Sequence, residues 1–338
     1  MTGMLVHLVR ARRVRHGAAL LAALLGVVAW SGAAGGQDAT YPARGKRISI
    51  IAAASAGSGT DLTARLVAQA LESEFPGTNF VVINRPGAGT QVGVQATADA
   101  APDGSTFGLI SLPTAVTLTL DPARKARFDR ESFVPIGNFI YDPGALAVRT
   151  DSPYRSLKDF TEAARQKPGT VTVGVTGPRG REHLDLIAVE RASGASFTPV
   201  FHNDSGLALN ALLGGHIDAV QGSVADFLAQ MKAGRVRLLA VFDKSPSAFA
   251  PDVPTAESQG FPIFSGTSRG FAFPAKTPPQ YAARISEALG KIARSPEYQQ
   301  KVRDMGLELR YMDATEYGAY WANEVTRIKE LMARLDQR

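Results

Sequence analysis

Short apolar runs alternate with segments of helical periodicity from residue 48 to residue 241, and this alternation confines the chain to an α/β architecture. Runs at 48–54, 80–83 and 106–111 read as strands, with helices at 62–75 and 91–101 between them. Leu62, Leu66, Val67, Ala70 and Leu71 fall on one helical face. A helix between two strands is the length of crossover that parallel pairing needs. The first block therefore predicts an α/β unit with a parallel sheet. The pattern repeats with strands at 145–149, 171–175, 197–200, 217–221 and 236–241. Helices at 156–166, 183–192, 207–213 and 224–232 lie between them, so a second α/β unit is expected over about 142–241.

The tail holds one strand, 271–273, then a helix from Thr277 to about Arg294 and a last helix at 315–335. The segment 242–266, rich in Pro, Ser and Asp, reads as a connector. One strand cannot build a third sheet. The tail is therefore expected to return to the first unit, giving lobe 1 from 37–141 plus about 266–338 and lobe 2 from 142–265. Crossings near 142 and 266 would join the lobes and leave a cleft between them.

The N-terminus reads as an export signal, residues 1–36. Arg10, Arg12, Arg13 and Arg15 precede a 12-residue apolar run at 18–29, and small residues follow. That run is too short to span a bilayer. The residues after Arg12 and Arg13 favour the general secretory route over the twin-arginine one, so export is expected. The 338-residue chain carries 37 basic and 31 acidic side chains, net +6. Four of the basic ones lie in the signal, so the remainder is net +2 and retains no basic block to bind nucleic acid. There are no Cys, which excludes disulfides and thiolate chemistry.

Two strand-to-helix loops carry the chemistry. Residues 55–61 (Ser55, Ala56, Gly57, Ser58, Gly59, Thr60, Asp61) are glycine-rich, with Ser58 and Asp61 spaced as a capping box. Open amides at a helix start favour an anion, carboxylate and phosphate alike. The equivalent loop of the second unit contains Thr176, Gly177, Arg179 and Arg181. Arginine is suited to a bidentate grip on a carboxylate. Two such loops across a cleft would hold a small anion. The segment 84–93 has G-x-G-x-x-x-G spacing and lacks the acid a dinucleotide fingerprint needs, so it is expected to pack against the other lobe as a rigid connector. Beyond residue 36 the histidines are His183, His202 and His216, without H-E-x-x-H, so neither a cofactor nor a metal is expected. His202, at a strand end, with a loop serine is the residual case for an exported hydrolase.

The chain resembles the Bug/TctC family. The resemblance is carried by G-S-G-T-D at 57–61, N-R-P-G-A-G at 84–89, P-D-G at 102–104 and L-L-G-G-x-I-D at 212–218. Further matches are A-G-R at 233–235, P-D-V-P-T at 251–255, S-R-G at 268–270 and P-A-K-T-P at 274–278. The resemblance implies a two-lobed periplasmic-binding-protein fold of type II, the Venus flytrap, each lobe a mostly parallel sheet flanked by helices. It implies a monomeric, non-enzymatic protein that closes on a di-, tri- or aromatic carboxylate and docks on membrane transporter subunits or, alternatively, a receptor. Both glycine loops should hold a ligand carboxylate through backbone amides. Ser111, Thr114, Asp204 and Ser205 should complete the wall. This chain departs from the family at the end of the 217–221 strand, where Gly222 and Ser223 replace a common Asp. Loss of that acid, with Arg179, Arg181 and Arg269, predicts a pocket open to anions.

Overall fold

The computed structural model describes residues 41–202 and 205–336, so the expected export signal lies outside the described residues. Arg47–Ala52 (β1) is built of alternating β-branched residues and buries Ile48, Ile50 and Ile51. Gly59–Glu74 (α1), Asn79–Asn84 (β2), Gln91–Ala98 (α2) and Thr106–Leu112 (β3) follow, and β1 pairs in parallel with both β2 and β3. Next come Thr114–Leu120 (α3) and Phe133–Arg149 (β4). The second block runs Leu157–Gln166 (α4), Thr172–Thr176 (β5), Arg181–Ser193 (α5), Thr198–His202 (β6) and Ser205–Leu213 (α6). It continues with Ala219–Ser223 (β7), Val224–Lys232 (α7) and Val236–Val241 (β8). The tail adds Gly266–Pro274 (β9), Pro279–Arg294 (α8), Pro296–Asp304 (α9), Leu309–Met312 (β10) and Ala314–Leu335 (α10).

These strands form a mixed sheet in the order β2-β1-β3-β9-β4-β7-β5-β6, with β10 and β8 also on β4. The alternating strands are parallel, as β5 is to β6 and β7. β9 and β4 are antiparallel to their neighbours. The sheet thus has two halves that share β4. Its first stretch pairs with β9 as far as Asp142↔Thr267 and Pro143↔Gly266, and from Gly144 on it pairs with β7. Residues 142–143 and 266–267 are therefore neighbours at the point of the sheet where β4 changes partner.

β4 starts twelve residues before the strand read from the sequence. Pro135, Gly137, Pro143 and Gly144 disguise it. Register shifts beside Pro135 and between Asn138 and Ile140 absorb the misfits. The connector segment also differs from expectation. A Cβ on Gly93 would lie 2.5 Å from the Ala53 Cα, and one on Gly87 would lie 3.0 Å from Val92. Gly93 thus packs on β1's end in the first block, the segment folds on itself at Gly87, and 85–89 face solvent.

Helix α10 is capped by Asp313, which accepts from the Thr315 and Glu316 amides while Glu316 reaches back. Its Tyr317, Trp321, Ile328, Leu331 and Met332 join one apolar cluster with Leu112, Ala115 and Val116 of the first half and Leu184 and Ile187 of α5. Two further clusters, around Phe160 and Phe227, cover opposite faces of the second half-sheet. Among the described residues no helix is long and apolar enough to cross a membrane.

Candidate functional site

The first loop is tied down from inside. Ser58 caps α1 by accepting from the Asp61 amide at 3.3 Å. Asp61 does not return that bond to Ser58. Its Oδ2 accepts from the Gly57 amide at 2.8 Å, its Oδ1 from Asn84 at 2.8 Å, and Arg65 donates to it at 3.0 Å. Burial works against the Asp61 charge, but Arg65, Gly57 and Asn84 together hold its carboxyl below the ordinary value. Asp61 is 1% exposed and anchors the loop. Ser55, Ala56, Gly57 and Gly59 are exposed, and Ser58 and Thr60 half-buried. Gly57 has φ +81°, which glycine adopts without strain. The Gly59 and Thr60 amides lie in the first turn, where no helical carbonyl precedes them.

The second loop turns at Gly177 and Arg179, which have φ +60° and +63°, and ends at Gly180, the N-cap of α5. A Cβ on Gly180 would meet the Thr176 carbonyl at 2.4 Å. The Thr176 hydroxyl donates to Glu182, and the Arg179 amide donates to His183 Nδ1 at 3.1 Å. The Arg179 guanidinium pairs with Asp336 just beyond α10.

Arg181 is 7% exposed and already engaged. It donates to Asp185 at 2.9 Å, to Glu182 at 2.7 Å and to Ser223 at 3.0 Å. Burial opposes its charge, but Glu182, Asp185, Asp142 and Asp226 raise its pKa above the ordinary arginine value. Arg181 is therefore not open in the way the sequence predicts, whereas Arg179 is held only by an exposed pair. Ser223 and Asp226 form a capping box on α7, and the Ser205 hydroxyl donates to Asp226 at 3.2 Å. Asp204 lies outside the described residues. Thr114 opens α3, and Ser111 pairs in register with Arg269.

Arg269 stands apart. It projects from β9, between β3 and β4, and its Nε and Nη1 are buried with no hydrogen-bond partner. Its Nη2 lies 3.6 Å from where a Cβ on Gly59 would be. Burial lowers its pKa, Asp142 and Asp226 oppose this, and Arg181 adds to it. A guanidinium does not lose its proton in a protein, so two charged donors remain unmatched at the junction of the half-sheets.

Two acids stand beside it. A Cβ on Gly222 would meet Phe227 at 2.7 Å and the Asp226 Oδ2 at 3.2 Å. The carboxylate missing at position 222 is therefore replaced from four residues further on. Asp142, 7% exposed on β4, adds a second that the sequence reading missed. Burial pushes the Asp142 pKa up to about 6 against Arg269; Asp226 raises it further, while Arg181 and the Ala225 amide lower it. Both acids sit where capping and strand crossing conceal them, and the only sequence signal is the S-x-x-D of Ser223 and Asp226.

His202 Nδ1 is 2.9 Å from the Val200 carbonyl, whereas the Ser205 hydroxyl goes to Asp226, so the two are not bonded as nucleophile and base. A G-x-S-x-G spacing does occur at Gly266, Ser268 and Gly270. Ser268, however, is wholly buried in the middle of β9, not on a strand-to-helix elbow.

Residues 63–336 match the family described as the tripartite tricarboxylate transporter family receptor, TctC. The Protein BugT of Bordetella pertussis is 32% identical over 248 residues, covering 72% of this chain and 75% of that protein. The solved TctC solute-binding protein from Polaromonas, without ligand, is 30% identical with a TM-score of 0.79. That likeness covers 87% of this chain and 100% of the other. MatC from Rhodopseudomonas palustris, solved with bound malate, shares the fold at 23% identity and a TM-score of 0.67, over 84% and 98% of the two chains. Fold and sequence agree: the chain belongs to the TctC family of solute-binding proteins.

Proposed function

We propose that this protein captures a small carboxylate-bearing solute in the periplasm, between the two halves of its sheet, and delivers it to membrane transporter subunits. The observation that carries this reading is the Arg269 guanidinium, buried at the junction with Nε and Nη1 unmatched. A carboxylate gripping Nε together with Nη2, whose N–H bonds point the same way, would satisfy Nε in one bidentate contact, and Nη1 would take a further oxygen of the solute. The first-turn amides of α1, beside Arg269 Nη2, would take the same carboxylate or a second one. Family membership supports delivery to a transporter, and the malate held by MatC supports the ligand class. The two segments at Pro143 and Gly266 would serve as the hinge, so closing on the solute would expel water and strengthen these bonds.

The test is a thermal-shift screen of organic acids on the chain lacking residues 1–36, followed by calorimetry on the hits and on Arg269→Gln. Carboxylates should raise the melting temperature and saturate at one per chain without forming product. Arg269→Gln should weaken binding roughly 10- to 100-fold while remaining folded, as loss of a charged hydrogen bond worth about 1.5–3 kcal/mol requires. Tight binding of a neutral or cationic solute, with no response to any carboxylate, would overturn the proposal.

A further inference from the structure

This inference rests on the carboxylate reading above and concerns the charge the site accepts. Asp142 is faced from every side by charged groups. Arg269 approaches from β9, Asp226 and the Ala225 amide from the start of α7, and Arg181 from α5. Arg181 brings Glu182 and Asp185 with it. The cluster therefore holds two cations and four acids before any ligand arrives. A solute carboxylate on Arg269 would add one more negative charge in a buried place, where like charges are not tolerated together.

One acid is set apart by its bonding. Glu182 and Asp185 are paired directly with Arg181; burial raises the Asp185 pKa and leaves its Oδ1 without a partner, but its Oδ2 keeps the ion pair at 2.9 Å, whereas no cation among the described residues bonds to Asp142. Asp226 accepts from the Ser223 amide at 2.9 Å and from the Ser205 hydroxyl at 3.2 Å. Asp142 accepts one long contact, from the Ala225 amide at 3.4 Å. It also lies on β4 beside the crossing, at Asp142↔Thr267. We infer that the site binds a solute carboxylate together with one proton drawn from solvent, and that Asp142 holds that proton. Asp142 thus determines which net charge the site will take.

The consequence is a directional pH dependence. Burial and Asp226 already bring Asp142 to about 6 in the empty protein, and a bound carboxylate raises it further. Below pH 6 the proton is in place and affinity is flat. Above it, affinity falls by up to tenfold per pH unit until the higher pKa of the complex is passed.

Calorimetry with malate, adipate and benzoate, all fully ionised at pH 7, tests this in phosphate and in Tris. Different buffer ionisation heats reveal the protons taken up per solute bound. Uptake of half a proton or more at pH 7, with Kd at least fivefold weaker at pH 8 than at pH 6, is expected for any of these that binds. Asp142→Asn should abolish both the uptake and the pH dependence. A carboxylate that binds with no proton uptake overturns the inference, as does uptake persisting in Asp142→Asn. The wild-type measurement stands even should that variant fail to fold. If none of the carboxylates binds, the carboxylate reading itself fails and this inference falls with it.

Discussion

Arg181 and Arg269 show why residue type alone does not assign a role. Both are arginines next to the junction, but Arg181 is saturated by Asp185, Glu182 and Ser223, while Arg269 keeps two buried donors unmatched. Arg181→Ala should therefore act mainly on stability. It leaves Asp185, wholly buried, without its cation, a change that costs about 3–5 kcal/mol. Urea denaturation should show that loss; a variant as stable as wild type with only weaker ligand binding would return Arg181 to the ligand. Asp142 gives a second prediction at this scale, read in the protein without ligand. Its folded pKa, about 6, lies above the ordinary 3.8, so the folded state holds the extra proton in that window. An acid raised in this way costs nothing below about pH 4 and destabilises the fold as the pH rises through 6. Asp142→Asn should match wild type at pH 4 and exceed it by up to about 3 kcal/mol at pH 8. Equal stabilities at both pH values would contradict the burial argument.

Among the elements, most helices and the parallel strands were legible because period and caps agree, whereas the short helices α3 and α9 and the four-residue strand β10 were not read. Ser58 caps α1 and Ser156 caps α4, each three residues before an acid, as the sequence spacing implies. What was hidden has a physical cause in each case. β4 owes its first twelve residues to pairing with β9 and β10, partners distant in sequence, which local pattern cannot reveal. The acid lost at Gly222 is restored by Asp226 only because the chain turns into α7 there. Arg269 was legible as a candidate, but its lack of partners was not, since that depends on β3 and β4 flanking β9. The first loop makes an element-scale prediction. Asn84, at the end of β2, donates to the Ala54 carbonyl at 3.1 Å and to Asp61 at 2.8 Å, so it ties the loop to the sheet. Asn84→Ala should speed hydrogen exchange of the 55–61 amides and lower stability by about 1–2 kcal/mol. Exchange there as slow as in wild type would mean that the loop is held by Arg65 and Gly57 alone.

Across the whole molecule, two half-sheets share β4, and β4 and β9 run side by side where one half gives way to the other. Helix α10 crosses the same boundary on the outside. Its apolar face meets α5 and α3, and Glu330 and Asp336, at and just beyond its end, pair with Arg191 and Arg179. Such exposed pairs contribute little, about 1 kcal/mol or less each, and can slide or exchange. The proposed closure would turn one half on the other at Pro143 and Gly266 while the helix keeps its apolar contact. Small-angle scattering should therefore show the radius of gyration falling when a carboxylate binds. Binding without contraction would contradict closure while leaving the site itself intact.

A crystal structure with a bound hit from the organic-acid screen reads the contact with Arg269 itself. A ligand carboxylate oxygen should lie within hydrogen-bond distance of Nε or Nη1 of Arg269, beside the first turn of α1. A carboxylate seated elsewhere, with both of those nitrogens still unpartnered, would contradict it.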